Sequence, residues 1–348
     1  MINAFCFYYG NDSWSRGGRY FFDAWQRQEE VRIISWDKPA DDSLHREPVM
    51  PSADHPGVGL GPVERMAGVV GSPRVGFVVW ETTIIPPEKL NVLRSLDAIW
   101  TTSRWGRQLL LNNGIGAEKI SVVPKGVDVE RFKPGPGKDH SLRRFRFLFV
   151  GKWEIRKGVE DLLQAFADEF HVDEPVELVI HGSNPYLRGF DLERNIRHVL
   201  GSRVASVIAS RPLAEEGMVR LYNSCDAFVL PTRGEGWGLP IMEAMACGLP
   251  VIVTEYSAPR EYLSQETAYL IGVEKLIPVC DPIFFRAGTA YGEWAQPDLG
   301  HLRKLMRHVF ENQAEAREKG QAGRADVCCR WTWDHAVTTA RSVLKAVS

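Results

Sequence analysis

The chain has 348 residues, of which 44% are hydrophobic and 25% are charged, a composition that is typical of globular proteins and excludes a disordered or fibrous chain. Its 42 Lys and Arg side chains nearly balance 44 Asp and Glu side chains, so the formal net charge is −2. This balance excludes the basic body of a nucleic-acid-binding protein, and the length is sufficient for two domains of ordinary size.

Strands and helices are predicted to alternate along the first part of the chain. Short apolar runs predict strands at INAFCFYY, VRIISW, RVGFVVW, DAIWTT and ISVVP, and helices are expected around RYFFDAWQRQ, PPEKLNVLRS and SRWGRQLLLNNG. Residues 37–62 are rich in Pro, Asp and Gly, which predicts an irregular loop. The GxGxG sequence in HPGVGLGP falls in this loop and follows no predicted strand, so it does not indicate a dinucleotide-binding turn.

The alternation restarts after a Pro- and Gly-rich stretch, FKPGPGKDHS at residues 132–141, which is the expected linker. Strands are then expected at FRFLFVG, VELVIHG, RVASVIA and DAFVLPT, with helices at GVEDLLQAFADEF, LERNIRHVL and EEGMVRLYNSC. The sequence therefore predicts an α/β protein with two doubly wound, Rossmann-like domains, residues 1–137 and 138–325, that face across a cleft. Residues 326–348 include WTWDHAVTTARSVLKAVS, which predicts a terminal helix.

The segment GEGWGLPIMEAMACGLPVIVTE, residues 234–255, places two glutamates in otherwise apolar surroundings. Its pattern predicts a glycine-rich turn followed by a helix, whose free N–H groups and dipole suit an anion. For Glu235 two interpretations stay open: a solvated carboxylate beside a tight turn, or a contact with a ligand. Glu243 lies inside the helix, and a carboxylate there is best explained by a polar ligand or by hydroxyl donors.

Three segments carry a family resemblance. EGWGLPIME, with the following AMACGLPVIVTE and SAPREYL, is similar to the E-x7-E region of retaining glycosyltransferases with the GT-B fold, in particular family 4, the glycosyl transferases group 1. FLFVGKWEIRKGVEDLLQAF resembles the same family, with Lys152 and Lys157 at the basic positions that hold the donor diphosphate. ISVVPKGVDVERFKP resembles the segment between the two domains, with Lys125 where the family usually has Asn or His. The resemblance covers most of residues 75–265.

The resemblance implies an acceptor-side N-terminal domain, a C-terminal donor domain and a last helix that crosses back to the first domain. It implies retaining transfer of a hexosyl group from a nucleotide-diphosphate sugar (UDP-, GDP- or other) to a hydroxyl of a glycan, a lipid-linked acceptor or a small molecule. Neither a cofactor nor a metal is expected, because Lys152, Lys157 and the turn amides would stabilise the leaving diphosphate. The chain has no DxD sequence, which agrees with this expectation.

The resemblance also assigns roles to the motif residues. Glu243 would accept hydrogen bonds from the ribose hydroxyls of the donor. Glu235 would contact the hydroxyls of the donor sugar or stabilise the positive charge at its anomeric carbon. It is not expected to be a nucleophile, because the leaving phosphate would help to deprotonate the acceptor on the same face of the sugar. Further donor-site positions in the turn are Gly236, Trp237, Gly238 and Leu239.

Weaker matches have structural alternatives. Gly17 and Gly18 in GNDSWSRGGRY stand where the family has a Gly-rich loop near the diphosphate and the acceptor, and an ordinary loop is the alternative. Glu81 stands near the position of a catalytically useful His in many members, and is either a sugar contact or a capping carboxylate. His181, at a strand end facing the cleft, either lines the nucleotide site or is structural. Arg156 is expected to be a surface residue.

Other functions stay open at this point. A sugar-nucleotide epimerase or hydrolase on the same fold would release epimerised or free sugar, and a non-catalytic nucleotide- or glycan-binding subunit would bind ligand without turnover. A dehydrogenase is disfavoured, because no dinucleotide-binding fingerprint follows the first strand.

Cysteine usage and apolar runs bear on location and metal binding. The six cysteines form no CxxC pair and have no histidines at zinc spacing, which favours free thiols in a reducing cytosol and no metal site. MINAFCFYYGND lacks a secretory signal, and no apolar run approaches the ~20 residues of a membrane span. A cytoplasmic protein is expected, and peripheral association with a membrane stays open.

Overall fold

The computed structural model describes two compact units. The described residues are 1–10, 12–38, 50–135, 144–211, 213–281, 283–285 and 288–347. The first unit comprises Met1–Gly126 with Arg330–Ser348, and the second comprises Val127–Cys329. The division after Gly126 lies ahead of the expected boundary at residue 137, because the segment that follows contacts the second unit: the Gly135 amide donates to Asn223 Oδ1 at 2.7 Å. Residues 136–141 of the expected linker lie outside the described residues.

The first unit is built on a parallel six-stranded sheet with the order β2-β1-β3-β4-β5-β6. Its strands are β1 (Ile2–Cys6), β2 (Val31–Ser35), β3 (Gly57–Leu60), β4 (Arg74–Val78), β5 (Ala98–Thr101) and β6 (Ile120–Val122). The helices between them are α1 (Ser13–Gln26), α2 (Val63–Met66), α3 (Pro87–Arg94) and α4 (Arg104–Asn112). Apart from β3 and α2, these elements are the ones that the alternation of apolar runs predicts.

Strand β3 corrects the prediction of an irregular loop over residues 37–62. All four of its residues are buried, and it pairs with β1 on one side and β4 on the other. A Cβ on Gly57 would lie 2.3 Å from the carbonyl oxygen of Val70, and one on Gly59 would lie 2.6 Å from Val69 Cγ2. The glycines therefore admit a neighbouring segment, and a parallel strand covered on both faces shows no alternation that would reveal it. Residues 39–49 of the expected loop lie outside the described residues.

The second unit contains another parallel six-stranded sheet, with the order β12-β11-β10-β7-β8-β9. Its strands are β7 (Phe145–Lys152), β8 (Val176–Ser183), β9 (Val207–Ala209), β10 (Ala227–Leu230), β11 (Val251–Thr254) and β12 (Tyr269–Ile271). An antiparallel pair, β13 (Val273–Pro278) and β14 (Glu293–Pro297), follows. The helices are α5 (Val159–Glu169), α6 (Leu192–Leu200), α7 (Glu215–Asn223), α8 (Leu239–Ala246), α9 (Leu299–Glu311) and α10 (Gln313–Arg330).

Two parts of this unit differ from the sequence-based expectation. The run RVASVIA was expected to be a strand, but only its last three residues form β9, because a 3-10 helix occupies Gly201–Ser206. Strands β12 to β14 and helices α9 and α10 were not predicted. Helix α10 has almost no apolar face, so its sequence lacks the helical spacing of apolar residues from which a helix is predicted.

The strand order of the second sheet reverses between β7 and β10. The chain runs from β7 outward to β8 and β9, then returns to β10 on the other side of β7 and continues to β11 and β12. Strands β7 and β10 are neighbours, with Phe147 opposite Ala227. Doubly wound sheets bind ligands beyond the carboxyl ends of their strands at such a reversal. The loops after β7 and β10 are therefore the expected location of a site.

The last helix, α11 (Trp333–Lys345), packs against α1 of the first unit. The Trp333 ring lies 5.9 Å from that of Tyr20 and 6.5 Å from that of Phe21, between centroids. A Cβ on Gly126 would lie 2.2 Å from the backbone nitrogen of Trp333. The first residue of α11 therefore packs directly against the backbone of Gly126, the last residue of the first segment of this unit. Among the helices within the described ranges, none is long and apolar enough to cross a membrane.

Candidate active site

Two loops at the reversal between β7 and β10 carry most of the motif residues. The loop after β7 makes one turn of 3-10 helix, Ile155–Lys157, and reaches Gly158, where α5 begins. The loop after β10 covers residues 231–238 and leads into α8. Gly158 has a φ of +68°, and a Cβ on it would lie 2.2 Å from the carbonyl oxygen of Pro231. The loops therefore meet backbone to backbone at a position that requires glycine.

Hydrogen bonds hold the two loops together on either side of this contact. The Arg233 amide donates to the carbonyl oxygen of Arg156 at 2.7 Å, and Thr232 Oγ1 lies 3.2 Å from the same oxygen. The Arg233 guanidinium donates to the carbonyl oxygen of Ile155 at 2.7 Å and lies 2.6 Å from Asp161 Oδ2 on α5. The relative position of the loops is thus fixed without any ligand.

Glu235 lies at the centre of this arrangement and is only 4% exposed. Lys157 Nζ donates to its Oε1 at 2.5 Å, and Thr232 Oγ1 donates to the same oxygen at 3.1 Å. Its backbone amide donates to Ser257 Oγ at 2.8 Å. Of the two interpretations open from the sequence, the solvated carboxylate is therefore wrong, and the structure brings Glu235 and Lys157 into direct contact.

Arg156 corrects the expectation of a surface residue, because it is only 7% exposed. Its guanidinium donates to Glu154 Oε1 and to the carbonyl oxygen of Gly234, both at 2.6 Å, and lies 3.4 Å from Glu235 Oε1. The short 3-10 turn points its first residue, Ile155, outward and the next two inward. Burial of a guanidinium is tolerated here because two carboxylates neutralise it.

The charged neighbours set the protonation state of Glu235. Burial by itself would raise the pKa of this carboxyl, but the charges of Lys157 and Arg156 and the hydrogen bonds from Lys157 and Thr232 outweigh it and hold the pKa below its ordinary value. Burial, together with the negative charge of Glu235, raises the pKa of Tyr262 well above its ordinary value. Glu235 is therefore an ionised hydrogen-bond acceptor at neutral pH, and Tyr262 stays a neutral phenol.

The turn of residues 236–239 is held by Tyr262. The Tyr262 hydroxyl donates to the carbonyl oxygen of Trp237 at 2.7 Å, and the two rings lie 4.9 Å apart between centroids. Gly238 has a φ of +95°, stands at the N-cap of α8 and is followed by Leu239 and Pro240 in the first turn. Trp237 is buried, so its indole packs within the turn. The expected contacts of Gly236 to Leu239 with a donor stay predictions.

Glu243 has a hydroxyl donor inside the protein. It is 2% exposed on α8, and the Tyr222 hydroxyl donates to its Oε2 at 2.7 Å. The sequence left a polar ligand and a hydroxyl donor as alternative explanations of this buried carboxylate, and Tyr222 supplies the second. Binding of a ribose by Glu243 stays a prediction. The burial of the carboxylate is already explained by the hydrogen bond from Tyr222.

Tyr222→Phe should therefore destabilise the protein. The change leaves a buried carboxylate oxygen without its donor, which costs about 1–3 kcal/mol of the free energy of unfolding. Urea unfolding of both proteins measures this difference. Tyr269→Phe is the matched control, because the Tyr269 hydroxyl donates at 3.0 Å to Glu315, whose side chain is 51% exposed and can exchange that bond for water. Equal losses in the two variants would contradict the assignment.

Lys152 and His181 lie at the carboxyl ends of β7 and β8. The Lys152 ammonium stands over the rings of Phe284 and Tyr186, at 5.1 and 5.6 Å from the centroids. His181 Nδ1 lies 3.1 Å from Ser210 Oγ, and burial lowers the pKa of the imidazole, so the ring is neutral at pH 7. Beside it is a cavity of about 510 Å³ at the ends of β8 and β9. Residues that line it are Ser183, Phe190, Asp191, Glu193, Ser210 and Arg211.

In the first unit, Gly17 and Gly18 do not form the expected loop, because both lie in α1. Asp12 caps this helix by accepting from the amides of Trp14 and Ser15 at 2.8 and 3.2 Å, so the helix begins before the glycines. A Cβ on Gly18 would lie 2.8 Å from the carbonyl oxygen of Phe7, and the glycine thus permits close packing of α1 on the segment after β1.

Lys125 and Glu81 belong to the same unit and interact through space. Lys125 is 4% exposed, and its Nζ lies 3.3 Å from the position of a Cβ on Gly17. Burial lowers the pKa of Lys125 to about 8, although the charge of the half-buried Glu81 opposes this shift. These three residues lie together in the first unit, which also contains Gly18, whereas the other predicted site residues belong to the second unit.

Several residues of the site had no sequence signal. Thr232, Tyr222 and Tyr262 contact the motif residues from other elements, and only the folded chain shows this proximity. Ser257, which accepts from the Glu235 amide, has a φ of +58°, and no other described non-glycine residue has a positive φ. Such strain is common at functional sites. The described residues contain no group of three or more His, Cys, Asp or Glu that could hold a metal ion, and metal independence stays a prediction.

Known proteins match the second unit most clearly. Residues 144–278 match the family model described as Glycosyl transferases group 1. D-inositol 3-phosphate glycosyltransferase of Corynebacterium jeikeium (strain K411) is 36% identical over 151 residues, which are 39% of this chain and 35% of that protein. The GDP-mannose-dependent monoacylated alpha-(1-6)-phosphatidylinositol monomannoside mannosyltransferase of Corynebacterium glutamicum is 25% identical over 228 residues, 61% of this chain and 52% of that protein. The chain thus spans about a third to about half of the length of these relatives.

A solved structure resembles the chain over its whole length. The crystal structure of Anabaena HepE in complex with UDP and glucose superposes with a TM-score of 0.71 at 14% identity, and the match covers 99% of each chain. At this identity the likeness concerns the fold alone. Together with the two parallel six-stranded sheets, it confirms the predicted GT-B class of fold.

Proposed function

We propose that this protein moves a hexosyl group from a nucleotide-diphosphate sugar to a hydroxyl acceptor, with retention and without a metal, because residues 144–278 match the family model described as Glycosyl transferases group 1. The observation that carries the proposal is the buried Glu235 carboxylate bonded to Lys157 at the reversal of the second sheet. One relative is named as GDP-mannose-dependent and the HepE structure holds UDP and glucose, which supports a nucleotide-sugar donor.

The leaving diphosphate requires fixed positive groups, because negative charge grows on it as the bond to the anomeric carbon breaks. Lys152 at the end of β7 and the N-terminus of α8 would supply them, together with Lys157. Lys157 is bonded to Glu235, and the cluster of Glu154, Arg156, Lys157 and Glu235 contains two carboxylates and two cations. We therefore expect Lys157 to turn towards the diphosphate when the donor binds.

Arg156 would then keep Glu235 ionised. Its guanidinium is pinned by Glu154 and lies 3.4 Å from Glu235 Oε1, so the buried carboxylate retains a counter-ion after Lys157 has turned away. An ionised Glu235 can accept from hydroxyls of the donor sugar and stabilise positive charge at the anomeric carbon. Glu235 thus acts as an electrostatic group, and the proton of the acceptor hydroxyl passes to the leaving phosphate.

The nucleotide half of the donor would lie towards β8 and β9. Glu243, which accepts from Tyr222 on α7, would also accept from the ribose hydroxyls. The cavity at the ends of β8 and β9 has room for the nucleotide base. His181 would position Ser210, which lines that cavity, through the contact between its Nδ1 and Ser210 Oγ. The acceptor, a glycan, a lipid-linked compound or a small molecule, would belong to the first unit. Cytoplasmic location and peripheral membrane association stay predictions from the sequence.

A thermal-shift panel of UDP-, GDP-, ADP- and dTDP-sugars tests the proposal. A donor present at 100 times its Kd should stabilise the protein by about 2.7 kcal/mol, and the melting temperature should rise with its concentration. EDTA should leave the shift unchanged. Failure of every donor to shift the melting temperature would overturn the proposal.

Mass spectrometry of the products then separates the alternatives. A new glycoside identifies a transferase, whereas only free or epimerised sugar would identify a hydrolase or an epimerase. Binding of a donor without any product, across acceptors of all three classes, would identify a non-catalytic subunit.

A further inference from the structure

Lys125 is a buried ammonium that lacks a partner within the part of the chain that the structure describes. It follows β6, is 4% exposed, and makes no hydrogen bond or ion pair with any described residue. Lys157 is buried to a similar extent, at 7% exposed, but it is bonded to Glu235. Burial of an ammonium ion costs several kcal/mol unless an anion or hydrogen-bond acceptors compensate it.

The surroundings of Lys125 compensate this cost only in part. Its Nζ lies 5.6 Å from the centroid of the Trp14 ring, a cation–π contact that is worth about 0.5–2 kcal/mol. The charge of Glu81 favours the ammonium, yet burial outweighs it and lowers the pKa of Lys125 to about 8. At neutral pH the side chain therefore remains largely protonated. The first unit thus holds a buried positive charge whose described neighbours do not neutralise it.

The space beside the ammonium is kept open by a glycine. A Cβ on Gly17 would lie 3.3 Å from Lys125 Nζ, which is tighter than ordinary contact, so any other residue would crowd the amine. Gly17 stands in the second turn of α1, a helix that is already capped by Asp12. Because Asp12 already caps α1, the group that can bind a ligand here is the Lys125 amine and not the N-terminus of the helix.

We propose that Lys125 binds an anionic oxygen group, a phosphate or a carboxylate, of a substrate at the face of α1 that carries Trp14 and Gly17. The inference rests on the proposed function, because it takes the ligand to be a substrate of the transfer. Two substrates could bring such a group: an acceptor with a phosphate or carboxylate near its reactive hydroxyl, or the diphosphate of the donor. The Lys125 ammonium is suited to either group. If the group belongs to the acceptor, a change at Lys125 weakens acceptor binding, and if it belongs to the donor, the change weakens donor binding.

The first experiment compares the two buried lysines with inorganic phosphate as the probe. Without phosphate, Lys125→Met should raise the melting temperature by about 2–4 °C, because it removes a charge that its described neighbours compensate only in part. Lys157→Met should lower the melting temperature, because Glu235 loses the nearer of its two counter-ions. Sodium phosphate at pH 7, compared with sodium chloride at equal ionic strength, should stabilise the wild type and Lys157→Met more than Lys125→Met. Gly17→Ala should reduce the same phosphate effect while retaining the lysine.

The outcomes separate this inference from the proposed function. A phosphate effect that is equal in Lys125→Met and the wild type, or a lower melting temperature of Lys125→Met without phosphate, would overturn the inference while the donor panel could still succeed. If the inference holds, the donor Kd of Lys125→Met identifies the source of the group. A Kd within about twofold of the wild type assigns the anion to the acceptor, and a Kd raised about tenfold or more assigns it to the donor diphosphate.

Discussion

Glu235→Ala should lower kcat/KM by about 10²–10³-fold while the donor Kd stays equal or becomes smaller. The rate falls because the ionised carboxylate is lost where positive charge develops on the sugar. Donor binding does not fall in parallel, because Lys157, bonded to Glu235 at 2.5 Å in the unliganded protein, becomes free to meet the diphosphate. Initial rates with the donor found by the panel, and calorimetric titration of the same donor, measure the two quantities.

The same variant should also lose about 3–5 kcal/mol of the free energy of unfolding, because Lys157 is left as a buried cation without its carboxylate. Glu177→Ala is the matched control. It removes an ion pair to Arg146 at 2.8 Å from the first residues of β8, at the other end of the sheet, and should leave the rate unchanged. An unchanged rate in Glu235→Ala, or an equal loss of rate in Glu177→Ala, would contradict the role assigned to Glu235.

Gly158→Ala should abolish donor binding and lower the free energy of unfolding by more than about 3 kcal/mol. The new Cβ would lie 2.2 Å from the carbonyl oxygen of Pro231, so the loops after β7 and β10 must separate. That separation would move Lys157 away from Glu235 and break the bonds of Arg233 and Thr232 to the other loop. Urea unfolding and donor titration measure both effects.

A second glycine separates the clash from backbone strain. Gly189 has a φ of +69°, close to that of Gly158, but a Cβ there would meet no atom within 4 Å. Gly189→Ala should therefore cost only the strain of the left-handed conformation, about 1–2 kcal/mol, and should leave donor affinity unchanged. If the two variants behaved alike, the contact between the loops would not be what positions the site.

The parts of the fold that could be predicted are those whose signal is local. Buried parallel strands such as β7 and β10 appear as short apolar runs, and glycine and proline mark the loops between them, so the two doubly wound domains can be predicted from the sequence. The reversal between β7 and β10 is visible only in the folded sheet. Glu235 and Glu243 could be singled out because carboxylates are unexpected among apolar residues.

The parts that could not be predicted depend on tertiary contacts. The sequence predicts a loop at β3 because glycines usually indicate irregular structure. In the fold these glycines instead permit close packing against Val69 and Val70. Gly17 and Gly18 were misplaced for the same reason. Arg156 was placed at the surface because charged residues usually are, and only its contacts with Glu154 and Gly234 show why it is buried. The hydroxyl donor to Glu243 comes from α7, and no pattern in the sequence connects that helix with Glu243.

The docking of α11 on α1 has a consequence for biosynthesis. A ribosome completes residues 1–126 early, but Trp333, which packs against Tyr20 and Phe21 and lies close to Gly126, emerges only after residues 127–329 have been made. Residues 127–329 are contiguous and can fold while translation continues. The apolar face of α1 meanwhile stays uncovered and open to chaperones. The first unit is therefore completed after the second, although most of its residues are made before it.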